Sequence, residues 1–229
     1  MSIADNVKAV RAAIAEAAIG AGRDPGEITL VAAAKTNGPD KVREAISAGV
    51  DAIGENRAVE VTEKSAAGAY RGAPLHFIGH IQSNKVRQIV GVCDLIESVG
   101  SRGILEAVSN RAKSLEIVQD ILIEVNIGME PAKSGIMPEE TAQMLDFASH
   151  LGGVRVLGLM AIPPFSESSI EKRRSFDAMY KLFVDMRAKK YDNVFMRCLS
   201  MGMSDSFVEA VCAGASMVRI GSAIFGTRH

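Results

Sequence analysis

Eight short strand-like runs, separated by stretches with helical periodicity, are the feature of this 229-residue chain that leaves it fewest possible folds. The runs are "ITLVAAAK", "DAIGEN", "LHFIGH", "DLIESV", "DILIEVN", "RVLGLMAI", "RCLSMGM" and "MVRIGSAIF". They are apolar on both alternating faces, the pattern of strands covered on both sides. Between them, "PDKVREAISAG" opens on Pro39 and closes on Gly49, and "MPEETAQMLDFASHLGG" has the same helical spacing. Eight alternations over this length predict an α/β fold, a single (β/α)8 TIM barrel over residues 1–229 with an extra N-terminal helix. An open doubly wound sheet is the alternative. The count of eight speaks against it, as does Lys35, which stands where a glycine-rich dinucleotide loop would follow the first strand.

Composition narrows the function classes. Hydrophobic residues make up 48% of the chain, enough for one sizeable core, and no Pro/Ser-rich linker divides it. A net charge of -1 argues against a nucleic-acid or membrane partner recruited by bulk electrostatics, while a local phosphate site stays open. Asp5, Lys8, Arg11 and Glu16 interrupt the N-terminal helix pattern, so it lacks a signal peptide's apolar centre, and no run approaches the roughly 18 apolar residues of a membrane span. Cys93, Cys198 and Cys212 are odd in number and widely separated in apolar contexts, which suits buried thiols in a reducing cytoplasm.

Barrel active sites form at the C-terminal ends of the strands. Here those ends carry Lys35, Glu55, Asn56, His80, Asn126, Ser200 to Met203, Gly221 and Ser222. Lys35 ends an apolar strand, where desolvation would favour the neutral amine that attacks a carbonyl. It could equally snorkel to the rim or pair with Glu55. On the eighth strand, period-two alternation puts Met217, Arg219 and Gly221 on one face. An inward arginine keeps its charge and needs an acceptor. Gly221-Ser222 offers a bare amide and a hydroxyl where barrels often bind phosphate at a short helix, and Gly202 and Ser204 could complete that cradle. These small residues could also simply close the barrel.

A carbonyl-reactive lysine, an arginine needing an acceptor and a phosphate cradle in one mouth suit pyridoxal 5'-phosphate (PLP), with its aldehyde on Lys35, its phosphate on strands seven and eight and its pyridine nitrogen facing Arg219. A Schiff-base aldolase acting on phosphorylated sugars would use the lysine and the cradle but gives Arg219 no task.

The segments "LVAAAKTNGPDKV", "IGENRAVE", "LHFIGHIQSNKVR", "IEVNIGMEPAKSGI", "LGLMAIPP" and "LSMGMSDSFVEAVCAGASMVRIGSAIFG" resemble, in order and spacing, the pyridoxal phosphate homeostasis protein family. The resemblance runs over nearly the whole chain. It implies a barrel of PLP fold type III, similar to the N-terminal domain of alanine racemase. It further implies Lys35 as the Schiff-base lysine, Asn56 lining the cofactor, Ser200, Gly221 and Ser222 on the phosphate, and Arg219 at the pyridine nitrogen. Lys133, in "AKSGI", matches a family lysine that is also near the cofactor in that pattern. Departures from the pattern are Ala34, Asn37, Arg57, Leu75 and Ser222, of which Ser222 keeps the hydroxyl of the usual threonine and Arg57 changes the lining of the mouth.

The resemblance implies a PLP carrier with PLP-accepting apoenzymes as its partners and no established turnover; the thiols and the N-terminal pattern suit the cytoplasm, and a sequence lacking the domain that builds racemase dimers is expected to be monomeric. The alternative is a PLP-dependent amino-acid racemase. An arginine at the pyridine nitrogen weakens the ring as an electron sink, and in alanine racemase the second base is a tyrosine from a C-terminal domain. This sequence ends at His229, and Tyr70, Tyr180 and Tyr191 lie away from the strand ends, so the expectation is an incomplete catalytic set. Three minor features remain. His76 and His80, four apart on a strand, could share a face and hold a metal, though packing or a rim hydrogen bond explains them as well. Met201 and Met203 flank the cradle, and the one loose segment, "IPPFSESSIEKRRS", reads as a loop leading into a helix, with "EKRRS" at 171–175 as the solvated helix start.

Overall fold

A computed structural model describes residues 2–130, 133–163 and 168–226. Eight parallel strands close in sequence order, with the eighth pairing back on the first. They are β1 (Thr29–Ala33), β2 (Ala52–Glu55), β3 (Leu75–Phe77), β4 (Leu95–Val99), β5 (Gln119–Val125), β6 (Val154–Ala161), β7 (Val194–Ser200) and β8 (Met217–Ile220). All eight sequence runs therefore overlap a strand, the seventh only from Arg197 onward, and the barrel prevails over the open sheet.

Helices α1 (Ile3–Gly20), α2 (Pro39–Ser47), α3 (Ala58–Ala66), α4 (Val86–Ile89), α5 (Arg102–Ser114), α6 (Thr141–Ser149), α7 (Ser169–Arg187), α8 (Phe207–Ala213) and α9 (Ser222–Phe225) accompany the strands. Strand alternation divides the core in two. Val31, Ala52, Leu95, Leu122, Met160 and Met217 fill the interior, while residues such as Leu30, Ile53, Phe77, Ile121 and Val218 belong to the larger core that includes the helices.

The extra N-terminal helix has a structural reason. After β8 the chain makes only the four-residue α9, too short to cover the adjoining strands. Helix α1 packs against α8, α9 and α2 and covers that part of the barrel. Asn6 Nδ2 donates to the Ile224 carbonyl at 2.8 Å, and Arg23, just after α1, donates to the Val211 and Ala215 carbonyls at 2.9 and 2.8 Å.

Two expectations change in detail. The eighth run stops being a strand at Ile220, and "SAIF" forms α9. Strand β3 ends at Phe77, so His80 lies beyond it and shares no strand face with His76. The segment after β6 includes residues 164–167, which fall outside the described residues, whereas "EKRRS" does lie in the first turns of α7. The cysteines are all free; burial, aided by Asp94 and Glu55, pushes the Cys93 thiol up to about 12, leaving it protonated and inert at neutral pH.

Candidate cofactor site

The C-terminal ends of β1, β2, β7 and β8 surround a cavity of about 700 Å3, within the range of small-ligand pockets. Its wall includes Lys35, Asn56, Arg219, Gly221 and Ser222, so five of the six proposed cofactor residues meet in one space. Ala33, Ile78, Ile162, Met203 and Phe225 supply its apolar surfaces.

Lys35 stands just after β1. The ladder to β2 runs through Ala34, whose amide donates to the Gly54 carbonyl at 2.9 Å. At Lys35 the backbone turns to φ +44°, the left-handed region that costs a residue with a side chain about 1–2 kcal/mol. The Asn37 amide and side-chain Nδ2 both donate to the Ala34 carbonyl, at 2.9 and 2.8 Å, and close the turn. Lys35 is exposed, so the desolvated setting expected from its apolar strand is not what the structure gives. Nor does it pair with Glu55. Ile53 and Glu55 face outward from β2, and Glu55 bonds Lys64 of α3 at 2.7 Å.

Arg219 faces inward from β8 and is almost wholly buried. Its Nη1 donates to Ser200 Oγ, and its Nη2 donates to the Ala161 carbonyl at 3.0 Å. Ser200 Oγ donates in turn to Glu97 Oε2 at 2.6 Å, and the other carboxylate oxygen takes His76 Nδ1 at 2.7 Å. Burial alone would raise Glu97, but His76, Arg219 and Ser200 outweigh it and hold the carboxyl below the usual range. Burial works to lower the Arg219 guanidinium as well, opposed by Glu97 and Glu124. Arginine stays charged under such conditions, so the acceptor required by the sequence is present.

This network also accounts for Ser200. The residue is fully buried and its hydroxyl is shared between Arg219 and Glu97, so it braces the arginine and does not border the cavity. Ser204 occupies the cradle instead. Its Oγ accepts from the Gly221 amide at 3.2 Å and the Ala223 amide at 3.4 Å. A serine oxygen thus stands where two backbone amides converge, as a phosphate oxygen would. Gly202 shapes the approach. Its φ is +94°, and a Cβ there would lie 2.6 Å from that of Ala210. Asn56 adds a second sign of a ligand site, because its Oδ1 is buried without a hydrogen-bond partner. An anionic, hydroxyl-bearing pyridine aldehyde fits this set: amides and hydroxyls at one end, an arginine at the far wall, an amine at the mouth.

The other candidates lie elsewhere. Lys133 is exposed and 3.4 Å from Glu130, outside the cavity wall, and Arg57 is exposed at the start of α3. His80 bonds Ser134 at 3.2 Å, and the described residues contain no cluster suited to a metal. Met203 lines the cavity, but Met201 belongs to the core outside the barrel. Asn126 binds its own loop, donating to the Glu130 carbonyl at 2.7 Å. Three charged residues escaped the sequence reading. Glu97 and Glu124 are two places on from the interior Leu95 and Leu122, so parity could have placed them inside. Lys64 follows Ala58 and Val61 along the buried stripe of α3, at spacings of three.

Comparison with known proteins agrees with this arrangement. A barrel with these strand-end residues is of the alanine racemase N-terminal domain type, whose family model matches residues 2–229. Two curated relatives are the pyridoxal phosphate homeostasis proteins of Aquifex aeolicus, 37% identical over 100% of this chain and 99% of the relative, and of Pseudomonas aeruginosa, 37% identical over 99% and 96%. The structure of PipY from Synechococcus elongatus with PLP bound superposes with a TM-score of 0.85 at 28% identity, covering 98% of this chain and all of that one. This chain belongs to the pyridoxal phosphate homeostasis protein family.

Proposed function

We propose that the protein binds PLP and serves its intracellular homeostasis, buffering the cofactor and delivering it to apoenzymes, with Lys35 as the attachment point. The observation that carries this reading is the convergence of Lys35, Asn56, the braced Arg219, Gly221 and Ser222 on one cavity, with the Gly221 and Ala223 amides meeting at Ser204 Oγ in its wall. The bound cofactor would supply an aldehyde, and Lys35 Nζ, as a neutral amine, would be the group to hold it, its two hydrogens leaving with the carbonyl oxygen as water. Asn56 would offer its unpaired Oδ1 to the ring, and Ser222 its hydroxyl to the phosphate. The Arg219 side chain, as a donor that does not lose its proton, would leave the pyridine nitrogen unprotonated.

Holding is favoured over racemisation by the places of the three tyrosines. Tyr70 bonds Glu55 outside the barrel, Tyr180 packs on Gly214, and Tyr191 donates to the Ala142 carbonyl. None is at hand to act as a base opposite Lys35. Among the described residues, no helix is long and apolar enough to cross a membrane. A monomer in the cytoplasm is part of the same proposal.

Absorbance after adding PLP to the purified protein tests the reading. A Schiff-base band at about 420 nm is expected, absent from Lys35→Ala. In deuterated water with alanine, the α-proton should persist. Failure of the wild type to take up PLP refutes the proposal, and steady Lys35-dependent proton loss replaces the carrier with a racemase.

A further inference from the structure

The backbone of Lys35 is held from outside the barrel. Its carbonyl, turned away from the ladder by the left-handed φ of +44°, accepts a hydrogen bond from Lys64 Nζ at 2.6 Å. The same ammonium lies 2.7 Å from Glu55 Oε1 and 3.6 Å from Glu60 Oε2, while the Tyr70 hydroxyl donates to Glu55 Oε1 at 3.1 Å. Glu55 is completely buried and Lys64 nearly so. A buried lysine is expensive, and a partner carboxylate explains only why its charge is tolerated. It does not explain why one of its three donors is spent on the carbonyl of a cavity-lining residue whose backbone is strained.

We propose that Lys64 is a positioning residue. It clamps the Lys35 carbonyl, holds the backbone in its left-handed turn and so aims Nζ into the cavity, with Glu55 and Tyr70 anchoring the clamp. The inference rests on the reading that Lys35 bonds the cofactor aldehyde. Lys64 touches neither the cavity nor the ligand. It decides how fast, and in what fraction of molecules, the Lys35 amine meets the aldehyde.

Two ligands separate aiming from binding. Pyridoxine 5'-phosphate carries a hydroxymethyl group in place of the aldehyde, so it reports phosphate and ring contacts without bond formation. Lys64→Met alone strands a buried carboxylate, so the informative protein is the double variant Glu55→Gln with Lys64→Met, which removes both charges. In this folded variant, pyridoxine 5'-phosphate should bind as in the wild type. Schiff-base formation with PLP should slow by about tenfold to a hundredfold, the scale of a misplaced reacting group. Borohydride reduction followed by peptide mapping should show a smaller share of Lys35 labelled. An unchanged rate and labelling share in the variant overturns the clamp while leaving the function intact. Equal weakening of both ligands also overturns it, since the pair would then be shaping the whole mouth. If the wild type forms no Lys35 adduct, the functional reading fails and the clamp with it.

Discussion

Two buried charge clusters sit on opposite sides of the same sheet, and they solve different problems. Inside the barrel, Glu97 receives His76 on one oxygen and Ser200 on the other, with Arg219 3.8 Å away. Outside it, Glu55 receives Lys64 and Tyr70 on one oxygen, and the second oxygen has no partner. The inner cluster is saturated and fixes a side chain at the cavity wall. The outer one is incompletely satisfied and fixes a backbone carbonyl. Burial raises both carboxylates, but at Glu97 its partners outweigh it and hold the carboxyl below the usual range, whereas Glu55 is pushed up to about 7 against the pull of Lys64. A buried charge is thus kept for what it orients, in one case a guanidinium and in the other a turn of the main chain.

Breaking the inner cluster should have the largest effect. Arg219→Met leaves Glu97 without its guanidinium and should cost about 3–5 kcal/mol in urea unfolding of the ligand-free protein, the usual penalty for stranding a buried charge. A loss below 1 kcal/mol would mean that His76 and Ser200 satisfy Glu97 without Arg219, on the scale of an ordinary surface change.

A pH series sharpens the contrast next, because the barrel interior holds a second carboxylate with the opposite tendency. Burial raises Glu124 to about 7 from an ordinary 4.5, with Arg219 pulling the other way. Its favourable contribution is complete below 4.5 and is lost as pH rises through 7, whereas that of Glu97 is complete above 4.5 and is lost on further acidification. Glu55, raised to about 7 as well, titrates in the same direction, so stability of the ligand-free protein should fall between pH 5 and 8 by an amount on the order of 2 kcal/mol for each of the two groups, and Glu124→Gln should remove about half of that slope. An unchanged slope in the variant would assign the effect to another group.

The smallest effect should come from an ion pair in solvent. Lys133 and Glu130 are each more than 40% exposed, so Lys133→Ala should change stability by less than about 0.5 kcal/mol, and PLP uptake should remain at the wild-type level. A large drop in uptake would return Lys133 to the site.

What could be read from the sequence follows the strength of periodicity. Eight apolar runs with helical spacers leave little choice of fold, and the small polar residues after β8 do border the cavity. The errors arise where one position along a strand was allowed to stand for both faces. Glu55 and Asn56 are adjacent, so only one can face the cavity, and β2 turns Ala52 and Gly54 inward with Ile53 and Glu55 outward. Ser200 shows another limit. Its inward face is set by parity, but whether its hydroxyl meets a phosphate or an arginine depends on Glu97, which is 103 residues away in sequence. The left-handed turn at Lys35 has little local signal, since the residue is neither glycine nor asparagine; Asn37 closes it on the Ala34 carbonyl, and Lys64, distant in sequence, binds the Lys35 carbonyl.

The seam between β1 and β8 has a consequence for the order of events in folding. Lys35 follows the first strand and the Gly221 and Ala223 amides follow the last, and these strands become neighbours only when the barrel closes, through pairs such as Thr29 with Met217 and Ala32 with Ile220. A chain emerging from the ribosome carries the reactive amine long before it carries the cradle. Contacts of such sequence separation form slowly, so the site matures as the ring is sealed. Any ligand that spans the seam then acts as a clasp, drawing the equilibrium toward the closed ring in proportion to its concentration.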